Sequence, residues 1–106
     1  MKLPLHTYLK NKRADLGLKM REVVAMTGID QASISKFENG SRIPTDNQIT
    51  ALAKCFEIPY NELKKYQLVE KVYEILAHEP YGYEAFMAAE PRIEYLATKK
   101  IADQIH

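Results

Sequence analysis

Residues 20–44, MREVVAMTGIDQASISKFENGSRIP, limit what this chain can fold into more than any other stretch. Val23 and Thr27, then Ile34 and Phe37, recur at three or four residues, so each pair falls on one helical face. Gly28 lies between the two runs, where a chain leaving a helix takes a left-handed turn that glycine adopts without a Cβ penalty. Ile29 follows as an apolar plug, and Asp30 is a good N-cap for the next helix. Asn39-Gly40 is a stop signal, and Pro44 bars continuation. The spacing predicts helices over 19–27 and 30–39 joined by a tight turn. One face of the second is apolar. The other carries Gln31, Ala32, Ser33, Ser35 and Lys36, short, amide-tipped or amine-tipped side chains of the kind that read base edges. Gln31 suits adenine, Ala32 a thymine methyl and Lys36 guanine, while Ser33 and Ser35 discriminate less.

This run resembles the helix-turn-helix of the phage repressor and Cro family, also called the XRE family of bacterial regulators. The likeness rests on Gly28-Ile29-Asp30-Gln31, on Ile34-Ser35-Lys36-Phe37-Glu38-Asn39-Gly40, and on Arg42 and Pro44. It extends back through Leu9-Lys10, Arg13 and Gly17-Leu18, and forward through Ile49, Leu52-Ala53-Lys54, Ile58 and Asn61-Glu62-Leu63. The Glu38-Asn39-Gly40 close is its most specific part. The resemblance implies an all-α fold, a five-helix repressor/Cro-like DNA-binding domain over 1–63 with a short helical extension over 64–106. It also implies an ion pair between Arg13 and Glu38 that ties the first helix to the end of the recognition helix. Two positions depart from the pattern. Lys19-Met20 stand where the family has Thr-Gln, so the glutamine contact to a DNA phosphate is missing, and Val24 replaces a small alanine where the two helices cross.

Phosphate contacts can still be assigned from residue chemistry. Lys19 and Arg21 lie at the start of the second helix, whose free N–H groups and dipole attract an anion. Asn39, Ser41 and Arg42 lie in the loop after the recognition helix, which suits contacts that position a protein without reading sequence.

The remaining elements follow from periodicity. A first helix is expected over 5–16, with Leu5, Tyr8 or Leu9, and Leu16 as its apolar stripe. Thr45 or Asp46 caps a fourth helix to about residue 56, burying Ile49, Leu52, Ala53 and Phe56. Cys55 beside that face reads as packing rather than chemistry. From 59 to 79 a longer helix carries the stripe Leu63, Tyr66, Val69, Tyr73 and Leu76, with Leu68, Val72 and Ile75 beside it. Pro80-Tyr81-Gly82 is a turn. Two further helical pieces are expected, 83–90 and 91–104, with Pro91 opening the second and Ile93, Leu96, Ala97, Ile101 and Ile105 lining it. Six of the seven tyrosines fall between residues 60 and 95, and tyrosine is enriched at interfaces. Tyr66, Val69, Tyr73, Leu76, Tyr83 and Leu96 are therefore the expected dimer contacts.

Charge and composition narrow the function. Residues 1–56 hold nine Lys or Arg against five Asp or Glu, and residues 57–106 hold six against nine. A positive half bearing the polar helix and an acidic half beyond it suit DNA contact at one end and protein contact at the other. No apolar run approaches the roughly 20 residues of a membrane span, and residues 1–6 lack the apolar core of a secretory signal. One cysteine makes no internal disulfide, and His6, His78 and His106 have no metal-type spacing. No metal or cofactor is expected. No phosphate loop or nucleophile elbow appears, and too little chain follows Leu63 for the self-cleaving domain of some family members.

The expectation is therefore a cytoplasmic, nucleoid-associated regulator, not an enzyme, binding double-stranded DNA at a palindromic operator as a homodimer and acting as a repressor. Two recognition helices about 34 Å apart would read successive major grooves. The alternatives are an antitoxin or restriction–modification controller with a protein partner on the C-terminal half, and an interaction module that leaves DNA alone.

Overall fold

The computed structural model describes residues 1–105, which form helices joined by turns and short irregular segments. The Ile105 side chain and His106, both named above, lie outside the described part. Six helices follow one another: α1 (Leu5–Asp15), α2 (Met20–Thr27), α3 (Gln31–Asn39), α4 (Asp46–Cys55), α5 (Tyr60–Leu76) and α6 (Gly82–Ile105). They fall into two compact units, Met1–Lys71 and the chain from Val72 onward.

In the first unit, local chemistry sets each boundary. Gly28 ends α2 at φ +72°, its N–H donating to the Val24 carbonyl, and Gly40 ends α3 at φ +83°. The Asp30 carboxylate caps α3 by accepting the Ser33 N–H at 3.0 Å. At α4, Thr45 Oγ1 accepts the Gln48 N–H while Gln48 Oε1 accepts the Thr45 N–H, a reciprocal cap that satisfies two otherwise free donors. α1 packs on α3, and α2 packs on both α3 and α4. Their shared core includes Leu9, Val23, Ile34, Phe37, Leu52 and Phe56. Val24, half-buried, packs against it.

Two residues depart from the expected stripes. Leu16 is 39% exposed, because α1 stops at Asp15 and Gly17 takes the chain away at φ +65°. Tyr66, expected at a dimer surface, is only 9% exposed and belongs to the core of this unit. Its ring stacks on Tyr8 with centroids 4.1 Å apart and planes 14° from parallel. Burial, with the neighbouring Glu62 carboxylate, pushes the Tyr8 phenol up to about 12. Leu63, Tyr66 and Gln67 are all buried, so this unit runs past residue 63, the boundary expected from the sequence, to Lys71.

The second unit holds the end of α5, a turn and α6. The turn is closed by the Glu79 N–H to the Leu76 carbonyl at 3.2 Å and the Gly82 N–H to the Glu79 carbonyl at 3.1 Å. Gly82 is required there, since a Cβ would lie 2.0 Å from the Leu76 carbonyl oxygen. Beyond it, α6 is one helix of 24 residues with Pro91 inside it, not two pieces divided at that proline. Pro91 removes one helical N–H and crowds the preceding turn. Ending the helix there would require a second costly nucleation, and the alanine-rich run before it favours continuation.

Candidate nucleic-acid interface

Helix α3 is anchored by one face and open on the other. Ile34 and Phe37 are buried, while Gln31, Ala32 and Lys36 are exposed and Ser35 is half-buried. Ser33 belongs with the buried set at 7% exposure, which removes it from the base-reading group proposed from sequence. Its position explains why. The hydroxyl donates to Asp30 Oδ1 at 2.8 Å and accepts from Arg42 Nη1 at 3.2 Å. Ser33 thus serves the cap of α3 and holds Arg42 against its first turn. These hydrogen bonds, that from the Ser33 side chain foremost, hold the Asp30 carboxyl below the usual carboxylate range.

The far end of α3 is tied to α1. Arg13 donates from Nε to Glu38 Oε2 at 2.8 Å and from Nη2 to Glu38 Oε1 at 3.0 Å, while Nη1 reaches the Leu18 carbonyl at 3.1 Å. This two-pronged geometry fixes direction as well as distance. The hydrogen bond to Glu38 raises the Arg13 pKa above its ordinary value. Both ends of α3 are therefore fixed by side chains rather than by its own length.

Two short segments flank the exposed face. At α2 the Glu22 carboxylate accepts the Lys19 N–H at 3.0 Å, and both Lys19 and Arg21 are exposed. After α3, Asn39 Oδ1 accepts from the Ser41 N–H at 2.9 Å and from its hydroxyl at 2.5 Å. This small turn leaves Asn39, Ser41 and Arg42 exposed together. Two short helices around a glycine turn, the second with a bare polar face flanked by cations, are what a major groove and its phosphates accept.

A helix-turn-helix family model matches residues 9–63, slightly more than half of the chain. The chain belongs to this family, the XRE-type helix-turn-helix regulators of Cro/C1 type. No curated protein matches it. As a helix-turn-helix regulator it binds DNA, and the match closes at Leu63, in the first turn of α5. Within this helix-turn-helix, Met20 is half-buried against the core, so Lys19 and Arg21 are the cationic side chains exposed at the start of α2, beside the exposed Glu22. Sequence reasoning missed the part played by Asp30 and Ser33 in orienting Arg42. Twelve positions separate Asp30 from Arg42 along the chain, and no local period links them.

Proposed function

We propose that this chain is a homodimeric repressor that reads a palindromic operator with Gln31, Ala32, Ser35 and Lys36 of α3. Lys19, Arg21, Asn39, Ser41 and Arg42 contact the phosphates. The observation that carries the reading is the polar face of α3, bare to solvent while the rest of the helix is fixed to α1 and α2. Repression by occupancy needs only tight, specific binding, so the chain acts without catalysis, in the cytoplasm at the nucleoid. Dimerisation uses the exposed apolar residues of its C-terminal half, Val69, Tyr73, Tyr83 and Leu96, with Leu76 beside them. Tyr66 takes no part.

Selection of bound duplexes from a random pool tests this. The expected result is a palindromic consensus with half-sites about one helical turn apart. Gln31→Ala and Lys36→Ala each relax preference at one base pair of each half-site, at a cost of about 1–3 kcal/mol. Binding without a consensus, fading uniformly with salt, shows a phosphate binder that reads nothing.

The same C-terminal exposure supports a second reading, an antitoxin or controller whose protein partner covers these residues. Sedimentation of the purified chain separates the two. A dimer at micromolar concentration supports self-association, and a monomer with a selected operator directs attention to a separate partner.

A further inference from the structure

Gln67 on α5 has no exposed surface, and a fully buried amide is expected to find partners for its donors and acceptor. Here those partners come from three places. Nε2 donates to the Pro44 carbonyl at 2.8 Å and to Asp46 Oδ1 at 3.1 Å, while Oε1 accepts from Lys64 Nζ at 2.7 Å. Lys64 also donates to Asp46 Oδ1 at 2.8 Å. Pro44 is buried as well, and it ends the segment that carries Ser41 and Arg42. That segment is held at its start by Ser41 on Lys36 and Asn39, in the middle by Arg42 on Ser33 of α3, and at its end by Pro44 on Gln67 of α5.

The geometry points to Gln67 as a positioning residue for DNA binding, one that fixes the Ser41–Pro44 segment so that Arg42 meets a phosphate while α3 is seated in the groove. Gln67 lies outside the residues matched by the helix-turn-helix family and touches no DNA itself. The assignment rests on the proposed contact between Arg42 and the DNA backbone. It differs from a role in the fold alone, which would lower stability and leave the affinity of the folded protein unchanged.

The test uses the full chain and the duplex recovered by selection, with affinity measured at several salt concentrations. Wild type, Gln67→Met, Arg42→Ala and the double variant are compared at a temperature where circular dichroism shows each to be folded. Gln67→Met is expected to weaken binding about fivefold and to reduce the slope of log affinity against log salt by about 1, as the loss of one phosphate contact does. Adding Arg42→Ala to it should cost little more, because both changes remove the same contact. Wild-type affinity and slope in folded Gln67→Met overturn the assignment, and so do fully additive losses. An Arg42→Ala chain that binds as wild type removes the phosphate contact itself, and the assignment falls with it. Should the methionine variant not fold, Gln67→Glu keeps an oxygen for Lys64 but has no N–H for Pro44. The same loss in that variant supports the assignment, and wild-type binding overturns it.

Discussion

Arg13 and Glu38 show how a single contact governs the placement of a reading surface. The Glu38 side chain is 8% exposed and takes both of its short hydrogen bonds from one guanidinium. Removing the cation leaves a carboxylate with little water to replace it. Arg13→Ala should therefore cost about 3 kcal/mol in urea unfolding, with DNA affinity falling further because the end of α3 loses its tether. Arg13→Lys should recover less than half of that, since an ammonium cannot reproduce the two-pronged fork. This pair lies 25 positions apart in the chain, so no spacing rule reveals it, and the family pattern alone made it expected. Ser33 departs from its expected role for the opposite reason, a purely local one. A serine on a polar helix face looks available, but the cap it shares with Asp30 turns its hydroxyl inward.

At the scale of elements, short helices depend on their caps. α2, α3 and α4 run 8, 9 and 10 residues, too short to be stable alone in water. Two of the carboxylates in these caps and braces are held below their ordinary pKa. Asp30 is held low chiefly by its Ser33 hydrogen bonds, and Asp46 chiefly by the hydrogen bond from Lys64. A carboxyl with a lower pKa folded than unfolded adds stability that is complete above its unfolded value, about 4, and is lost as pH falls through the folded value. The thermal midpoint should therefore be flat above about pH 5 and drop on acidification, and Asp46→Asn should flatten part of that drop. Added salt should weaken the Asp46 brace, whose carboxylate is largely exposed. The turn at Gly82 offers a contrasting case, decided by volume rather than charge. Gly82→Ala must push the Leu76 carbonyl aside, so amide exchange over residues 77–82 should accelerate while the core around Phe37 keeps its protection. The helices of the helix-turn-helix were legible from apolar period and turn residues. The unbroken run of α6 was not, because a proline after Glu90 looks the same at a helix start as in a helix interior.

Across the whole molecule, the sequence separates a basic half from an acidic one, and the structure separates a packed unit from a helix with little buried. From Tyr83 to Gln104 every residue of α6 is exposed, including Phe86, Ile93, Leu96 and Ile101. Two features of the fold favour the proposed self-association. An apolar surface this large is unusual without a function, and a helix of this length gains most of its stability from packing. Replacing Tyr73 or Leu96 with glutamate should shift the chain toward monomer in sedimentation and reduce operator affinity more than tenfold, with half-site binding retained. The α5 stripe shows the limit of reading by period. Leu63 and Tyr66 turned inward, and Val69 and Tyr73 outward, though all four share one repeat. Periodicity places residues on a face. It does not say where along the helix the partner surface ends.

The bare length of α6 bears on how long each copy survives in a cell. A chain lacking its proposed partner presents proteases with a long, exposed helix that has little packing to hold it closed, while a paired chain hides the same segment. Turnover then becomes a function of abundance: scarce copies are cleared quickly and abundant ones persist. A pulse-chase at two expression levels should show a longer half-life at the higher level, and the Leu96→Glu chain should decay at one fast rate at both. A regulator of this kind would switch its genes at a threshold set jointly by synthesis and degradation.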